Sequence, residues 1–214
     1  LFDGMGPLQK AMFQPADAAA MDAVLTAAGI TGEAMPAPIT AFLLQSEDRT
    51  ILIDAGMGGV EMLGPGLGRM SDGLAAMGVT PEDVDLVIVT HAHPDHIGGL
   101  ITPTGAAFPN AEMAITQAEL DFWGDDGIMA QAPEEAQGLF QLAQAAYGAY
   151  GDRVIPVTSD TEVAPGITME LSPGHTPGHA LVHIDGGTRQ ILMVADTLHS
   201  SVVHTALPDT GFGF

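Results

Sequence analysis

Residues 84–96 read Val-Asp-Leu-Val-Ile-Val-Thr-His-Ala-His-Pro-Asp-His, a mostly apolar run followed by three imidazoles and a carboxylate. The run from Val84 to Val89 is typical of a strand that is buried on both faces of a sheet. Polar groups at the end of such a strand cost free energy unless something binds them. A divalent metal is the usual solution, because imidazole nitrogen and carboxylate oxygen are zinc's preferred ligands other than sulfur.

The spacing within the histidine cluster indicates how many metal ions it could serve. Alternation along an extended segment predicts that His91 and His93 point in the same direction. Pro94 then bends the chain, so Asp95 and His96 are expected to emerge in another direction. One segment could therefore bind two metal ions a few ångströms apart. The same four side chains could instead close a single structural zinc site, or be a chance cluster in a loop.

In two distant segments, polar residues also follow directly after an apolar run, and these residues could complete the site. Residues 172–179 read Ser-Pro-Gly-His-Thr-Pro-Gly-His and follow the apolar run Ile167–Leu171, so a tight loop would hold His175 at a strand end. Asp196 ends the apolar run Ile191–Ala195 and could bridge two cations through its two carboxylate oxygens. The alternatives are an ordinary turn histidine at the first position and a helix-capping aspartate at the second.

Other polar residues near these motifs are predicted to have supporting or ordinary roles. His179 is expected to hydrogen-bond the loop that holds a ligand, and Asp54 is expected to brace the metal loop from the turn after a neighbouring strand. The remaining histidines are predicted to be ordinary strand or surface residues, namely His183, His199 and His204.

The composition excludes several classes of partner. The chain carries 27 acidic and 5 basic residues, a formal net charge of −22, so nucleic acid and anionic lipid surfaces are disfavoured. There is no cysteine, so any metal must be held by nitrogen and oxygen. No apolar run reaches the ~18 residues that a membrane span needs. We expect a small-molecule substrate and leave a homodimer open. The compartment is not fixed, with the cytoplasm favoured over the periplasm.

The patterning of apolar residues predicts one layered α/β domain over residues 1–214, with an N-terminal flank or lid at 1–38 and a core at 39–214. Helices are predicted over Ala16–Ala28, Met70–Met77, Gln117–Trp123 and Pro133–Tyr150, and residues 55–68 read as a loop. Strands are predicted over Ile39–Gln45, Thr50–Asp54, Val84–Val89, Glu112–Ile115, Val154–Val157, Ile167–Leu171, Ala180–Ile184 and Gln190–Ala195. Strands dominate the second half, which favours two sheets between helices over a doubly wound sheet.

These motifs resemble those of the metallo-β-lactamase superfamily. Its metal motif His-x-His-x-Asp-His is met in full by His91–His96, and its Pro-Gly-His-Thr motif by Pro173–Thr176. Its bridging aspartate corresponds to Asp196, and its early Asp-x-Gly turn to Asp54–Gly56. The resemblance covers most of the chain. It implies an αββα four-layer sandwich with a dinuclear metal site at one edge of the two sheets.

The resemblance also implies a role for each motif residue and a metal content. The ligands would be His91, His93 and His175 for the first ion, Asp95 and His96 for the second, and Asp196 as a bridge. The implied cofactors are two divalent ions, Zn²⁺ in most members, with Mn²⁺, Co²⁺ or Fe²⁺ as alternatives. A hydroxide activated between the ions would attack the substrate, and Asp95 or Asp196 would move a proton to the leaving group.

The flanking sequences are most similar to the branch that contains methyl parathion hydrolase and acyl-homoserine-lactone lactonase. This favours hydrolysis of a lactone or ester, with phosphotriester (organophosphate) hydrolysis on the same site as the alternative. Apolar residues that could line the substrate pocket, or simply pack the core, are Met5, Met12, Phe13, Phe42, Phe108, Phe122 and Trp123. An iron-dependent oxidoreductase is a further class, since the superfamily includes iron proteins.

One departure from the family pattern concerns the second metal. The family supplies a last histidine ligand from a loop well beyond the bridging aspartate, whereas the sequence stops at Phe214, soon after Asp196. We therefore expect a sequence truncated at its C-terminus that lacks the last strand and helix of the fold. An inactive truncated family member is the remaining alternative.

Overall fold

The computed structural model describes residues 1–60, 62 and 64–213 of the chain. In this part the helices are α1 (Ala18–Ala27), α2 (Met70–Ala76), α3 (Pro94–Ile97), α4 (Gln117–Trp123), α5 (Asp126–Gln131), α6 (Glu134–Tyr150) and α7 (Ser201–Ala206). The strands are β1 (Phe2–Gln9), β2 (Phe13–Gln14), β3 (Ala34–Thr40), β4 (Phe42–Gln45), β5 (Thr50–Ile53), β6 (Leu86–Ile88), β7 (Ile101–Thr102), β8 (Gly105–Ala106), β9 (Glu112–Thr116), β10 (Val154–Val157), β11 (Thr161–Ala164), β12 (Ile167–Leu171), β13 (Ala180–Asp185), β14 (Gln190–Met193) and β15 (Gly211–Phe212).

Two main sheets organise the described residues. The first has five strands in the order β10-β9-β6-β5-β4, with β4 antiparallel to β5 and the other pairs parallel. The second has four antiparallel strands in the order β11-β12-β13-β14. Short antiparallel ribbons join β1 to β3, β2 to β15 and β7 to β8. Within the same residues, no helix has the length and apolar character needed to cross a bilayer.

The apolar side chains of the first sheet are buried on both of its faces. On β6, Leu86 and Ile88 belong to the cluster between the sheets, together with Met169 of the second sheet. Val87, which points the other way, belongs to the cluster packed under the helices with Phe140 of α6. Leu86, Val87 and Ile88 are each at most 1% exposed, and burying each contributes roughly 1.5–3 kcal/mol. Burial on both faces explains why this strand has no polar alternation.

The layers are therefore helices, first sheet and second sheet. On the edge strand β14 of the second sheet, Leu192 is 50% exposed and Ile191 is 59% exposed. The mixed α/β class with two stacked sheets, predicted from the sequence, is confirmed. The parallel strands β5, β6 and β9 end at one edge of their sheet, so the loops that follow them are brought close together.

The N-terminal residues contact both the glycine-rich loop and the C-terminal segment. Met21 and Leu25 of α1 pack with Phe13 and with Val203 of α7 in a separate apolar cluster. The carboxylate of Asp3 is fully buried. It accepts hydrogen bonds from the backbone N–H groups of residues 57, 68 and 70, at 2.9, 3.0 and 2.9 Å. The strand β1 that carries Asp3 was not predicted from the sequence.

Several predicted boundaries differ from the observed ones for local reasons. The single strand predicted over Ile39–Gln45 is divided between β3 and β4 at Ala41, which exchanges hydrogen bonds with Leu1. The helix predicted from Ala16 starts later because Asp17 caps α1 through its side chain. Of the loop predicted at 55–68, residues 61 and 63 lie outside the described residues.

The short helices α5 and α7 were not predicted. Each has six residues, and each is capped at its start by a polar side chain, Asp125 for α5 and Ser200 for α7. Elements this short carry too few apolar positions to show a helical period, so their sequence signal is weak.

Candidate metal centre

Three imidazoles from two loops converge on one point. His91 follows β6, His93 lies directly before α3, and His175 lies in the loop between β12 and β13. The distances are 3.1 Å from His91 Nε2 to His93 Nδ1, 2.9 Å from His93 Nδ1 to His175 Nε2, and 3.2 Å from His175 Nε2 to His91 Nε2. A tetrahedral zinc ion about 2.0–2.1 Å from each nitrogen would hold them about 3.3 Å apart. The spacing of this donor set therefore fits a divalent cation.

The ionisation state of these three rings also suits a metal. Burial, with the neighbouring imidazoles adding to it, lowers the pKa of His91 well below its usual value. Burial likewise lowers the pKa of His93 to about 4 and that of His175 to about 3. All three rings are therefore neutral at pH 7 and have a lone pair available for a metal.

Asp196 lies between these imidazoles and a fourth histidine. It sits in the turn that follows β14. Its Oδ2 is 3.5 Å from His175 Nε2 and 4.0 Å from His91 Nε2, whereas its Oδ1 is 3.5 Å from His96 Nε2. Burial raises the pKa of Asp196, but the charge and hydrogen bond of His96 outweigh it and hold this pKa below its usual range. An ionised carboxylate with one oxygen towards each group has the arrangement of a bridging ligand.

The ring of His96 is oriented by Asp54. His96 Nδ1 lies 2.8 Å from Asp54 Oδ2, and Thr90 donates its backbone N–H and its hydroxyl to the same carboxylate. The other nitrogen of His96 faces Asp95 Oδ2 at 3.6 Å. Burial lowers the pKa of His96, but the carboxylates of Asp54, Asp95 and Asp196 outweigh it and raise the pKa well above its usual value. A cation bound here would replace that proton.

Backbone strain is concentrated beside these ligands. Among the described residues, a positive φ at a residue other than glycine occurs at Asp54 (56°) and Ala195 (42°). Such conformations cost about 1–3 kcal/mol and persist where surrounding contacts enforce them. Here Asp54 N donates to Ile88 O at 2.9 Å, and Ala55 N donates to His96 O at 2.8 Å. Asp54 thus contacts His96 through its side chain, and its backbone N–H and that of Ala55 bond to β6 and to His96.

His179 and His199 have different surroundings from each other. His179 is fully buried and accepts a hydrogen bond from Asp196 N at 3.2 Å. His199, predicted to be an ordinary residue, lies with its Nε2 3.6 Å from Asp196 Oδ2 and stacks on Phe212 at a centroid distance of 3.6 Å. His175, Asp196 and His199 form a further group of potential ligands.

The two other histidines lie outside the cluster. His183 is half-buried on β13, 3.5 Å from Glu170, in agreement with its prediction as a strand residue. His204, for which a strand or surface position was predicted, is instead buried in α7, with its ring 5.6 Å from that of Phe13. The prediction for His204 is wrong because a six-residue helix with a buried face was not apparent from the sequence.

An aromatic wall lies next to the imidazoles. The ring centroid of Trp123 is 5.6 Å from that of His93 and 5.0 Å from that of Phe122. Trp123 and Phe122, for which pocket lining and core packing were both left open, border an apolar cavity of about 370 Å³ between α4, α5 and α6. Of the other residues for which these alternatives were left open, Phe108 and Phe13 are buried in the core and Phe42 is 47% exposed.

Glu119 is a buried residue of the site region that sequence reasoning did not single out. It lies in the first turn of α4, and its carboxylate contacts backbone groups of both ligand-bearing loops. The only sequence signal is a Thr-x-x-Glu spacing at 116–119, which is common at helix starts.

Comparisons with known proteins identify the family of the chain. The sequence pattern of the metallo-beta-lactamase superfamily matches residues 34–212. An N-acyl homoserine lactonase of Bacillus sp is 29% identical over 196 residues, covering 83% of this chain and 71% of the relative. An N-acyl homoserine lactonase of Bacillus cereus shows the same identity and coverage.

Solved structures with similar folds include two hydrolases. The hydrolase AbOPH, of the beta lactamase superfamily, superposes with a TM-score of 0.90 at 29% identity, over 99% of this chain and 74% of that one. AidC, a dizinc quorum-quenching lactonase, superposes with a TM-score of 0.87 at 27% identity and the same coverage. From the matched pattern, the shared fold and the metal motif, we conclude that the chain belongs to the metallo-beta-lactamase superfamily.

Proposed function

We propose that the chain is a metal-dependent hydrolase that opens a lactone ring at a dinuclear zinc centre. The observation that carries this proposal is the convergence of three neutral imidazoles, two of which face one oxygen of Asp196 while its other oxygen faces His96. The similarity to N-acyl homoserine lactonases and to a dizinc lactonase supports both the reaction and the metal.

The proposed ligands divide between two positions. His91, His93 and His175 would hold one cation, Asp95 and His96 the other, and Asp196 would contact both. When bound, such cations bring the pKa of water close to neutrality and polarise a substrate carbonyl. The protein's own contribution is to keep the imidazoles neutral and the carboxylate of Asp196 ionised, as burial and the neighbouring His96 charge do here.

Asp95 is suited to hold a proton during the reaction. Burial, with the Asp196 charge adding to it, raises the pKa of Asp95 above its usual value, although the nearby His96 partly opposes this. A carboxylate with a raised pKa accepts a proton more readily than one at its ordinary value. We therefore infer that Asp95 moves a proton to the leaving alkoxide of the opened ring, while Asp196, whose pKa is lowered, stays ionised.

The surroundings of the centre favour an uncharged substrate with an apolar part. The aromatic wall at Trp123, whose ring lies next to that of His93, would contact an acyl chain or an aryl group of the substrate. The net charge of −22 repels anionic substrates. A lactone with an acyl chain satisfies both conditions, and so does a neutral aryl phosphotriester, which remains the second candidate on the same residues.

A substrate panel tests the proposal. N-acyl homoserine lactones, aryl esters and aryl phosphotriesters would be assayed after loading with zinc, manganese or cobalt. We expect metal-dependent lactone opening that is lost in Asp196→Ala and kept in Asp209→Ala, a control at an exposed carboxylate of the same C-terminal segment. Phosphotriester turnover without lactone turnover would favour the second candidate. Oxygen uptake by a protein that holds iron would contradict hydrolysis.

A further inference from the structure

We propose that Glu119 is a positioning residue whose buried carboxylate ties the two ligand-bearing loops together and thereby sets the affinity of the centre for its cation. This inference rests on the metal centre of the proposed function but not on its substrate. No family motif used above includes this residue.

The carboxylate of Glu119 reaches both loops. Its side chain is fully buried in the first turn of α4. Oε2 accepts the backbone N–H of Ala92, the residue between His91 and His93, at 2.8 Å. Oε1 accepts the backbone N–H of Gly178, in the loop that carries the third imidazole, at 2.7 Å. One side chain thus joins two segments that are more than eighty residues apart in sequence.

The donors around Glu119 match an ionised carboxylate and not an amide. A third donor, Trp123 Nε1, reaches Oε2 at 2.9 Å, so every contact named here donates to the carboxylate. An ionised carboxylate is an acceptor only, whereas the NH₂ of glutamine would have to face at least one of these N–H groups. Hydrogen bonds to a charged acceptor are also roughly twice as strong as neutral ones. Glu119→Gln therefore keeps the shape of the side chain but places an NH₂ group against at least one of the N–H donors.

A second contact fixes the same junction. Thr116, the cap of α4, donates its hydroxyl to Gly178 O at 2.6 Å. A Cβ at position 178 would lie 2.3 Å from Thr116 Oγ1 and 2.5 Å from Glu119 N, so only glycine allows the loop to lie this close to α4. The loop that carries His175 therefore packs directly against the first turn of α4.

The position of these bonds links them to the metal and not only to folding. Ala92 lies between two imidazoles of the convergent triad, and Gly178 lies three residues from the third. A shift of one loop against the other changes the distances of 2.9 and 3.2 Å from His175 Nε2 to the nitrogens of His93 and His91. Contacts that orient ligands without touching the metal typically change metal affinity about 10–100-fold when removed.

The test compares Glu119→Gln with Asp121→Asn, which removes the same charge from the exposed side of the same helix. Zinc affinity would be measured by chelator competition, and the visible spectrum of the cobalt-loaded protein would report ligand geometry. We expect about a 10–100-fold loss of zinc affinity and an altered cobalt spectrum in Glu119→Gln, with wild-type values in Asp121→Asn. Wild-type affinity and spectrum in a folded Glu119→Gln would overturn the proposal.

A second variant keeps the test decisive if Glu119→Gln folds poorly. Gly178→Ala forces the same loop away from α4 while retaining the carboxylate. We expect Gly178→Ala to alter the cobalt spectrum too. The double variant with Glu119→Gln and Gly178→Ala should lose less zinc affinity than the sum of the two single losses, because both substitutions act on one contact. Thermal unfolding of the metal-free proteins provides the structural comparison. Lower melting temperatures with unchanged zinc affinity would assign Glu119 a purely structural role.

The outcome is independent of the substrate. If the wild-type chain binds zinc but opens no lactone, the proposed function fails, and the comparison of zinc affinities still decides the role of Glu119. If the wild-type chain binds no zinc, the positioning role is overturned together with the metal centre.

Discussion

His91 and His96 have ring centroids only 4.0 Å apart, yet their surroundings give them opposite ionisation states. Burial and neighbouring imidazoles lower the pKa of His91, whereas three nearby carboxylates raise that of His96 despite its burial. The side chains of the site therefore divide into neutral nitrogen donors on one side and carboxylates on the other. This division matches one histidine-rich and one carboxylate-rich metal position.

Replacing Asp54 tests how far the orientation of His96 matters. We expect Asp54→Asn to weaken binding of the cation at His96 about 10–100-fold, because the ring loses its charged partner at 2.8 Å. Binding at the three converging imidazoles should change less. Zinc titration with chelator competition separates the two affinities. Asp48→Asn, at an exposed turn, is the control, and equal affinities in both variants would contradict the prediction.

The convergence of the proposed ligand residues could be predicted from sequence because the spacing within each motif is local. The motif His91–His96 and the loop around His175 both follow buried strands, and the structure brings them together with Asp196. Glu119 and His199 could not be predicted in the same way. Their roles depend on tertiary contacts, since Glu119 reads as an ordinary capping residue and His199 as part of a short polar segment.

At the scale of elements, the loops of the site are pressed together at glycines. A Cβ at Gly99 would lie 2.0 Å from Ala55 O, and one at Gly98 would lie 2.3 Å from Met57 O. The end of α3 therefore packs directly on the backbone that follows β5. This close approach places Asp54 beside His96.

Substituting one of these glycines should weaken both the fold and the site. We expect Gly99→Ala to cost about 1–3 kcal/mol of unfolding free energy and to lower zinc content, because backbone must move to admit the methyl group. Gly148→Ala in α6 is the matched control, since nothing lies within 4 Å of its Cβ position. That change should stabilise by about 0.5–1 kcal/mol. Urea unfolding measures the free energy of unfolding of both variants. A Gly99→Ala chain that is stabilised as much as Gly148→Ala would argue against the close approach.

His204 in α7 separates packing from metal binding. Its ring is buried against Phe13, and its Nδ1 accepts Ser200 N at 3.2 Å. We expect His204→Ala to lower the unfolding free energy by about 1–3 kcal/mol and to leave the zinc content unchanged. Urea unfolding measures the change in unfolding free energy, and elemental analysis measures the zinc content. Loss of one zinc ion in this variant would show that His204 is a ligand.

The predictability of the elements followed their length and burial. Fully buried strands such as β6 and the long helix α6 were predicted with small boundary errors. The strand β1 was missed because its sequence, rich in glycine, lacks alternation and depends on pairing with β3.

For the whole molecule, burial of so many imidazoles makes stability depend on pH. In the fold the pKa of His93 is lowered to about 4 and that of His175 to about 3, from a usual value of 6.5. Below pH 6.5 the unfolded chain therefore binds more protons than the folded chain, and the unfolding free energy falls as the pH falls through this window. His96 acts in the opposite sense, because its raised pKa favours the fold at low pH and loses that contribution as the pH rises.

We expect the histidines with lowered pKa values, His93 and His175, to dominate the pH dependence of the unfolding free energy. The metal-free protein should lose stability between pH 6.5 and about pH 4, and a variant carrying His93→Gln and His175→Gln should lose less over the same range. Urea midpoints measured with a chelator at several pH values test this. A wild-type midpoint that changes no more than that of the variant would contradict it.

At this scale the sequence predicted the architecture through two kinds of information. The predominance of strands in the second half indicated two sheets between helices, and the resemblance of the motifs indicated the family. The contacts between the N-terminal residues and α7 were not predictable, because they join segments that show no complementary pattern on their own.

The central claim is that His91, His93 and His175, with Asp196 and His96, bind a pair of divalent cations. Its most direct test is the zinc content of the purified chain after zinc loading and gel filtration, measured by elemental analysis beside the His93→Ala variant. We predict about two zinc ions per wild-type chain and a loss of bound zinc in the variant. A wild-type chain without bound zinc, or a His93→Ala chain with undiminished zinc, would contradict the account.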